Sequence, residues 1–269
     1  MLSNLHPESP TMSAAPFETP EPPRVSRPVM KLVERALRDF SLVEPGDHVA
    51  VGISGGKDSL LLAAAMLELA AREDMGFEVT LIHLDQNQPG FDRDGLNAAM
   101  ARLGAPLEVI DRDTHSVVQK MLKPGQIPCA ICGRMRRGIL NAYCAERGFT
   151  KLAMGHHLDD AVETYFLNLL FGSRLDPLKP ATPASTHPVT TIRPLILVEE
   201  RKIEAWVDEV GLMPVACPVC DSFPQSSRRD VKTFWQGFSE LAHRDVYASV
   251  REALYGDPAV FVEEAREQG

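Results

Sequence analysis

The chain has 269 residues, 44% of them hydrophobic and 24% charged, with a formal net charge of −9. These values suit one large globular α/β domain, or such a domain with a small appendage, and exclude a largely disordered chain. The acidic balance excludes a protein that coats nucleic acid non-specifically, which needs Lys and Arg along its whole surface. The longest apolar run, Leu60 to Leu67, is too short to span a membrane, and the first residues lack an apolar signal segment, so the cytoplasm is the expected location.

Residues 1–28 are crowded with proline, including Pro7, Pro10, Pro16, Pro20, Pro22, Pro23 and Pro28, and predict a disordered tail. From Val29 to Phe40 apolar residues recur at helical spacing, and Pro45-Gly46-Asp47 makes a turn into a strand from His48 to Ile53. A Gly-rich turn, a helix from Ser59 to about Glu73 and a strand from Glu78 to Leu84 complete a βαβ unit. The alternation continues with a helix over Gly95–Leu103, a strand over Leu107–Ile110, a helix over Cys132–Glu146 and a strand over Lys151–Met154. Leu158–Leu170 reads as helix, Gly172–Pro194 as a loop or short hairpin, and Glu199–Val210 as helix. This succession predicts a doubly wound parallel sheet with its ligand site at the carboxyl ends of the strands. The expected organisation is a tail (1–28), a catalytic domain (29–235) and a C-terminal helical extension (236–269), with the cysteines in a small appendage.

Ser54-Gly55-Gly56-Lys57-Asp58-Ser59 lies between an apolar strand and a helix, where backbone N–H groups and the helix dipole make an anion site. The glycines allow close approach of phosphate. Lys57 can neutralise its charge, Ser54 and Ser59 can donate hydroxyl hydrogen bonds, and Asp58 can hold Mg²⁺ or cap the helix. The plain alternative is a tight strand-to-helix turn. The common nucleoside-triphosphate loop has four residues between Gly and Gly-Lys and a Ser or Thr after the Lys, and neither holds here. The six residues instead resemble the pyrophosphate loop of N-type ATP pyrophosphatases. That resemblance implies adenylation of a substrate by ATP, without saying which substrate.

Cys129 and Cys132 share a C-x-x-C spacing, as do Cys217 and Cys220. Such pairs point to metal or redox chemistry, with zinc and iron-sulfur both open. Cys144 sits in an apolar helical pattern and reads as core packing. Arg134, Arg136, Arg137, Arg147 and Lys151, opposed only by Glu146, form a basic stretch that is either a solvated helix face or an RNA contact. Gly155-His156-His157-Leu158-Asp159-Asp160 follows a strand and opens a helix. Asp159 and Asp160 there are candidates to bind Mg²⁺ or organise the site, against helix capping as the alternative. Asp85 ends the second strand, and His83 and Leu84 can offer backbone contacts to adenine.

Leu84-Asp85-Gln86-Asn87-Gln88-Pro89-Gly90-Phe91, Cys129-Ala130-Ile131-Cys132 with Arg134-Met135-Arg136-Arg137-Gly138, and Gly155 to Asp160 occur in the order found in the tRNA two-thiocytidine synthetases. The chain resembles that family over about Lys31 to Asp230. The resemblance implies a 4Fe-4S cluster held by Cys129, Cys132 and Cys217, and RNA contact by Arg134, Arg136 and Arg137. ATP with Mg²⁺ would adenylate the C2 oxygen of a cytidine, at position 32 of tRNA, through Lys57, Asp58, Asp85, Asp159 and Asp160. Sulfur would come from a cysteine desulfurase, and the reading admits a homodimer. Asp221-Ser222-Phe223-Pro224 departs from the family's Gly-Ser-Gln-Pro, which bears on tRNA specificity. Cys220 could close the cluster as a fourth ligand, but that would leave no iron open for sulfide. A lysidine synthase shares the phosphate loop and the Gly-His-His-x-Asp-Asp stretch without needing cysteine pairs. A metal-stabilised RNA adaptor would need no catalytic residues.

Overall fold

A computed structural model describes residues 21–122, 128–218, 227–242 and 245–262, with the side chains of Cys129 and Ala130 outside the description. Its strands are β1 (His48–Gly52), β2 (Glu78–Asp85), β3 (Leu107–Asp111), β4 (Lys151–Ala153), β5 (Ala181–Pro183) and β6 (Thr190–Ile192). The helices are α1 (Arg27–Asp39), α2 (Lys57–Ala70), α3 (Arg93–Leu103), α4 (Thr114–Met121) and α5 (Cys129–Arg147). They continue with α6 (Leu158–Phe171), α7 (Glu200–Val210), α8 (Ser227–Leu241) and α9 (Val246–Tyr255).

The six strands form one sheet in the order β3-β2-β1-β4-β6-β5. All neighbours are parallel except the β5–β6 hairpin. The chain leaves β1 to one side for β2 and β3, then returns to place β4 on the other. This reversal opens a crevice beyond the carboxyl ends of β1 and β4. Successive strand residues face opposite layers. Val49, Val51 and Leu81 join the larger core with α1, α2, α6 and α7, whereas Ala50, Ile82 and Leu84 join a smaller one under α5. The α2 run Leu60 to Met66 is buried on nearly every side, so this helix has no polar face.

Three expectations change. Residues 21–26 dock on the body and α1 already begins at Arg27, so the end of the expected tail is ordered. The Trp206 indole donates to Arg24 O (2.9 Å), the Val25 amide to Glu68 (3.0 Å), and Arg102 to Glu21 O (2.8 Å). Residues 1–20 lie outside the described residues. The boundary expected after residue 235 falls inside α8, and Trp235, Tyr247 and Tyr255 belong to the main core. Among the described residues the cysteines are not set apart in an appendage. Cys132 and Cys144 lie on α5, and Cys217 follows Val215, whose amide donates to Gly55 O (2.9 Å). Helix α4 was not expected from the sequence. It spans only eight residues, but Asp113 caps it by accepting from the Ser116 amide at 3.0 Å. No helix among the described residues is long and apolar enough to cross a membrane.

Candidate active site

Two loops meet at the crevice. In the first, Gly55 has φ +87°, and a Cβ there would lie 3.0 Å from Val215 Cβ, so only glycine fits without displacement. Ser59 Oγ ties the loop to the start of α2, donating to Gly56 O (2.8 Å) and accepting from the Ser54 amide (3.2 Å). The second loop, after β4, passes so close that a Cβ on Gly155 would lie 3.1 Å from the Asp58 carbonyl carbon. Between the loops and β2 lies a cleft of about 300 Å³, which receives Ser54, Asp58, Ser59, His83, Asp85, Asp160, Arg136 and Cys217. The sequence candidates for nucleotide, sulfur and RNA chemistry are therefore represented in one cavity.

Some candidates lie elsewhere. Lys57 does not line the cleft. Its ammonium meets Glu200 Oε1 at 2.7 Å and Asp58 Oδ1 at 3.2 Å. Burial lowers its pKa, but Asp58 and Glu200 outweigh that and raise it. Glu200 also accepts from Lys232 at 2.7 Å, and although burial pushes its carboxyl up, the two lysines hold it at about 2. Asp159 likewise turns away from the cleft. It is 2% exposed, and its oxygens accept from the Glu200 amide (2.7 Å), Tyr247 OH (2.8 Å) and the Trp235 indole (3.1 Å). Those contacts join α6 to α7, α8 and α9, a structural task.

Asp160 remains at the cleft. Its Oδ2 accepts from the His157 amide (3.1 Å), closing a capping box at the start of α6, and its Oδ1 accepts from Arg228 (3.0 Å). Burial would raise its pKa, but His157 and Arg228 hold it below the usual carboxylate value. His157 Nε2 stands 3.7 Å from Asp58 Oδ1 and 3.6 Å from Asp160 Oδ2, so two carboxylates approach from opposite loops. Oxygen donors of this kind suit Mg²⁺. Burial pushes His156 down to about 4, leaving it neutral.

On the β2 side, His83 Nδ1 contacts Ile53 O at 2.8 Å, which assigns the proton to that nitrogen. Burial lowers the pKa of the ring, and its buried Nε2 has no partner among the described residues. The ring stacks on Phe91 with centroids 5.3 Å apart. Asp85 is occupied by the Asn87 amide (2.9 Å) and by Arg93 (2.6 Å), so it shapes the loop after β2. Burial would raise its pKa, but these partners hold it below the usual value.

The arginine trio divides. Arg134 and Arg137, three residues apart on α5, are exposed, while Arg136 is half-buried, lines the cleft and has a buried Nε without a partner among the described residues. A step of two residues is roughly 200° around a helix, so the three cannot share a face.

Cys144 is fully buried, and burial pushes its thiol up to about 12, as a packing residue requires. Cys132 Sγ lies 3.2 Å from Gln86 Oε1 and Cys217 Sγ 3.6 Å from Gln88 Oε1. Two soft donors thus approach one three-residue stretch beside the cleft, which fits a thiolate-held metal centre. Among the described residues no three His, Cys, Asp or Glu side chains form a metal site, and the Cys129 side chain and Cys220 lie outside them.

Arg228, Glu163 and Glu200 were missed from the sequence because nothing in their local spacing marks them. Arg228 enters the cleft from α8 and reaches Glu163 at 3.4 Å. Glu163 is 4% exposed, and burial pushes its carboxyl up to about 7 against the pull of Arg228. A raised carboxyl pKa means that the folded protein holds a proton the unfolded chain releases from about pH 4.5. Stability from this group therefore falls between about pH 4.5 and about 7 and is level above. In thermal melts, the Tm of Glu163→Gln relative to wild type should rise across that window and then stay constant. A gap independent of pH would contradict the shift.

A PP-loop domain model matches residues 26–214. The chain is 37% identical over 223 residues to a tRNA-cytidine(32) 2-sulfurtransferase of Alkalilimnicola ehrlichii, covering 83% of this chain and 71% of that one. It is 39% identical to the enzyme of that name from Xylella fastidiosa (79% and 73% covered) and 36% identical to that of Deinococcus radiodurans (81% and 73%). Among solved structures, the U34-tRNA thiolase NcsA from Methanococcus maripaludis, determined with its 4Fe-4S cluster, shares the fold with a TM-score of 0.66. Its identity is 22%, with 86% of this chain and 78% of that chain covered. With nucleotide-loop residues and Cys217 sharing one cleft, and with these relatives spanning most of its length, the chain belongs to the tRNA-cytidine(32) 2-sulfurtransferase family, enzymes of tRNA thiolation.

Proposed function

We propose that the cleft first adenylates the C2 oxygen of cytidine 32 in tRNA and then admits sulfur to the same carbon. The observation that carries this reading is the presence of Cys217 in the wall of the cavity that also receives Ser54, Ser59 and Asp160. The C2 oxygen attacks the α-phosphorus of ATP, a P–O bond forms, and pyrophosphate departs. Sulfide then adds at C2, the C2–O bond breaks, and AMP leaves with the oxygen. Ser54 and Ser59 hold phosphate at the amino end of α2, where the helix dipole favours an anion. Asp58 and Asp160 hold Mg²⁺, and His83 Nε2 accepts from a donor on the nucleoside. Arg136 meets anionic charge inside the cleft, while Arg134 and Arg137 take the tRNA backbone outside it.

Cys129, Cys132 and Cys217 would hold a 4Fe-4S cluster, which supplies an iron open to sulfide brought by a cysteine desulfurase. The protein's own contribution is orientation of two reactants in a cavity and a field arranged for developing charge. A cytoplasmic location accords with a tRNA substrate. Anaerobic purification with iron and sulfide assays, followed by ATP–pyrophosphate exchange with and without tRNA, tests the reading. Stoichiometric zinc without labile sulfide would sink it.

Lys57 acts on this scheme through its bridge between Asp58 and Glu200, placed at the phosphate loop. Lys57→Ala should keep its iron and lose about 10²-fold or more in AMP transfer, the usual effect of removing one electrostatic donor. Near-normal pyrophosphate exchange at saturating ATP would remove Lys57 from the reaction.

A further inference from the structure

Gln86 and Gln88 stand on either side of Asn87, whose φ of +55° turns the chain sharply after β2. Each contacts a different cysteine: Cys132 Sγ is 3.2 Å from Gln86 Oε1, and Cys217 Sγ is 3.6 Å from Gln88 Oε1. Gln88 is 8% exposed. Gln86 is fixed further by α4, because its Oε1 also accepts from Thr114 Oγ1 at 3.1 Å and its backbone carbonyl accepts from the His115 amide at 3.2 Å. Thr114 is 3% exposed, so its hydroxyl is committed to this neighbourhood. A thiol donates to the amide oxygen, but a sulfur bound to iron carries negative charge and only accepts. A carboxamide serves both states, since rotation of its end by about 180° exchanges the oxygen for two N–H donors. A glutamate here would set negative charge beside the bound sulfur.

We infer that Gln86 and Gln88 are positioning residues for the metal centre, donating amide N–H to the iron-bound sulfurs of Cys132 and Cys217, with Thr114 fixing Gln86 by taking its second N–H. This rests on the reading that these cysteines hold the cluster. Donors to ligating sulfur stabilise the more negative, reduced state and raise the potential, as hydrogen bonding around iron-sulfur centres generally does.

The test uses the full chain, reconstituted anaerobically, with reduction followed spectroscopically against potential. Gln86→Leu and Gln88→Leu should each disfavour reduction by about tenfold, equal to about 59 mV for one electron. Thr114→Val should shift the potential the same way by less, and Thr114→Ser should restore the wild-type value. Wild-type protein labelled with ¹⁵N in glutamine side chains should show nitrogen coupling to the reduced cluster. Unchanged potentials in both leucine variants at full iron content would overturn the inference. If those variants lose iron, the ¹⁵N coupling decides: present, the inference stands, and absent, it falls. Wild-type protein that binds zinc in place of iron would instead defeat the underlying cluster reading, a separate failure.

Discussion

Cys132→Ala and Cys217→Ala should each abolish sulfur transfer to tRNA while leaving ATP–pyrophosphate exchange largely in place. Both thiols contact side chains of the loop after β2, Gln86 and Gln88, and neither contact involves the phosphate loop. Removing either sulfur takes a ligand from the metal centre without touching Ser54, Ser59 or Asp160. Cys129→Ala should behave alike. Cys144→Ala should instead retain thiolation and lose roughly 1 kcal/mol of stability, because it creates only a small cavity under α5. Cys220→Ala separates the ligand schemes: unchanged iron and persistent thiolation support three thiolates, and lost iron makes Cys220 a ligand. Retained thiolation in Cys132→Ala would place the sulfur chemistry elsewhere in the chain.

Asp159→Ala should be a folding mutation. The variant leaves the Glu200 amide, the Trp235 indole and Tyr247 OH without their buried acceptor. Each buried donor left without an acceptor costs about 1–3 kcal/mol, read as a lower urea midpoint at an unchanged slope. Asp159→Asn keeps an acceptor for the two side chains but opposes an N–H to the Glu200 amide, and should fall between. Asp160→Asn should melt closer to wild type and lose AMP transfer, since its carboxylate faces the cleft. Wild-type melting of Asp159→Ala with lost turnover would return Asp159 to the active centre.

The contrast between Asp159 and Asp160 shows where sequence reasoning stops. Two adjacent carboxylates at a helix start point about 100° apart, and which one meets the cleft depends on Trp235 and Tyr247, 76 and 88 residues further on. No local spacing carries that information. The phosphate loop was legible because its glycines, serines and flanking apolar strand are contiguous. Alternating apolar residues marked most of the parallel sheet for the same reason. The arginine trio was misjudged as a single patch by treating neighbours in sequence as neighbours in space, although helical phase alone separates Arg136 from Arg134 and Arg137. Helix α4 escaped notice because eight residues give only two turns of apolar period. Arg228 and Glu200 are ordinary surface-helix residues by pattern, and only the packing of α6, α7 and α8 brings Arg228 to the cleft and Glu200 to Lys57.

The buried carboxylate of α6 also sets an order for assembly during synthesis. Its last partner, Tyr247, emerges 88 residues later, a lag of roughly 4 to 18 s at about 5–20 residues per second. The Glu200 amide emerges 41 residues after Asp159 and the Trp235 indole 76 residues after it, so the carboxylate gains its buried donors in steps. Its aromatic partners on α8 and α9 then seat α6, the helix that carries Asp160 at the cleft.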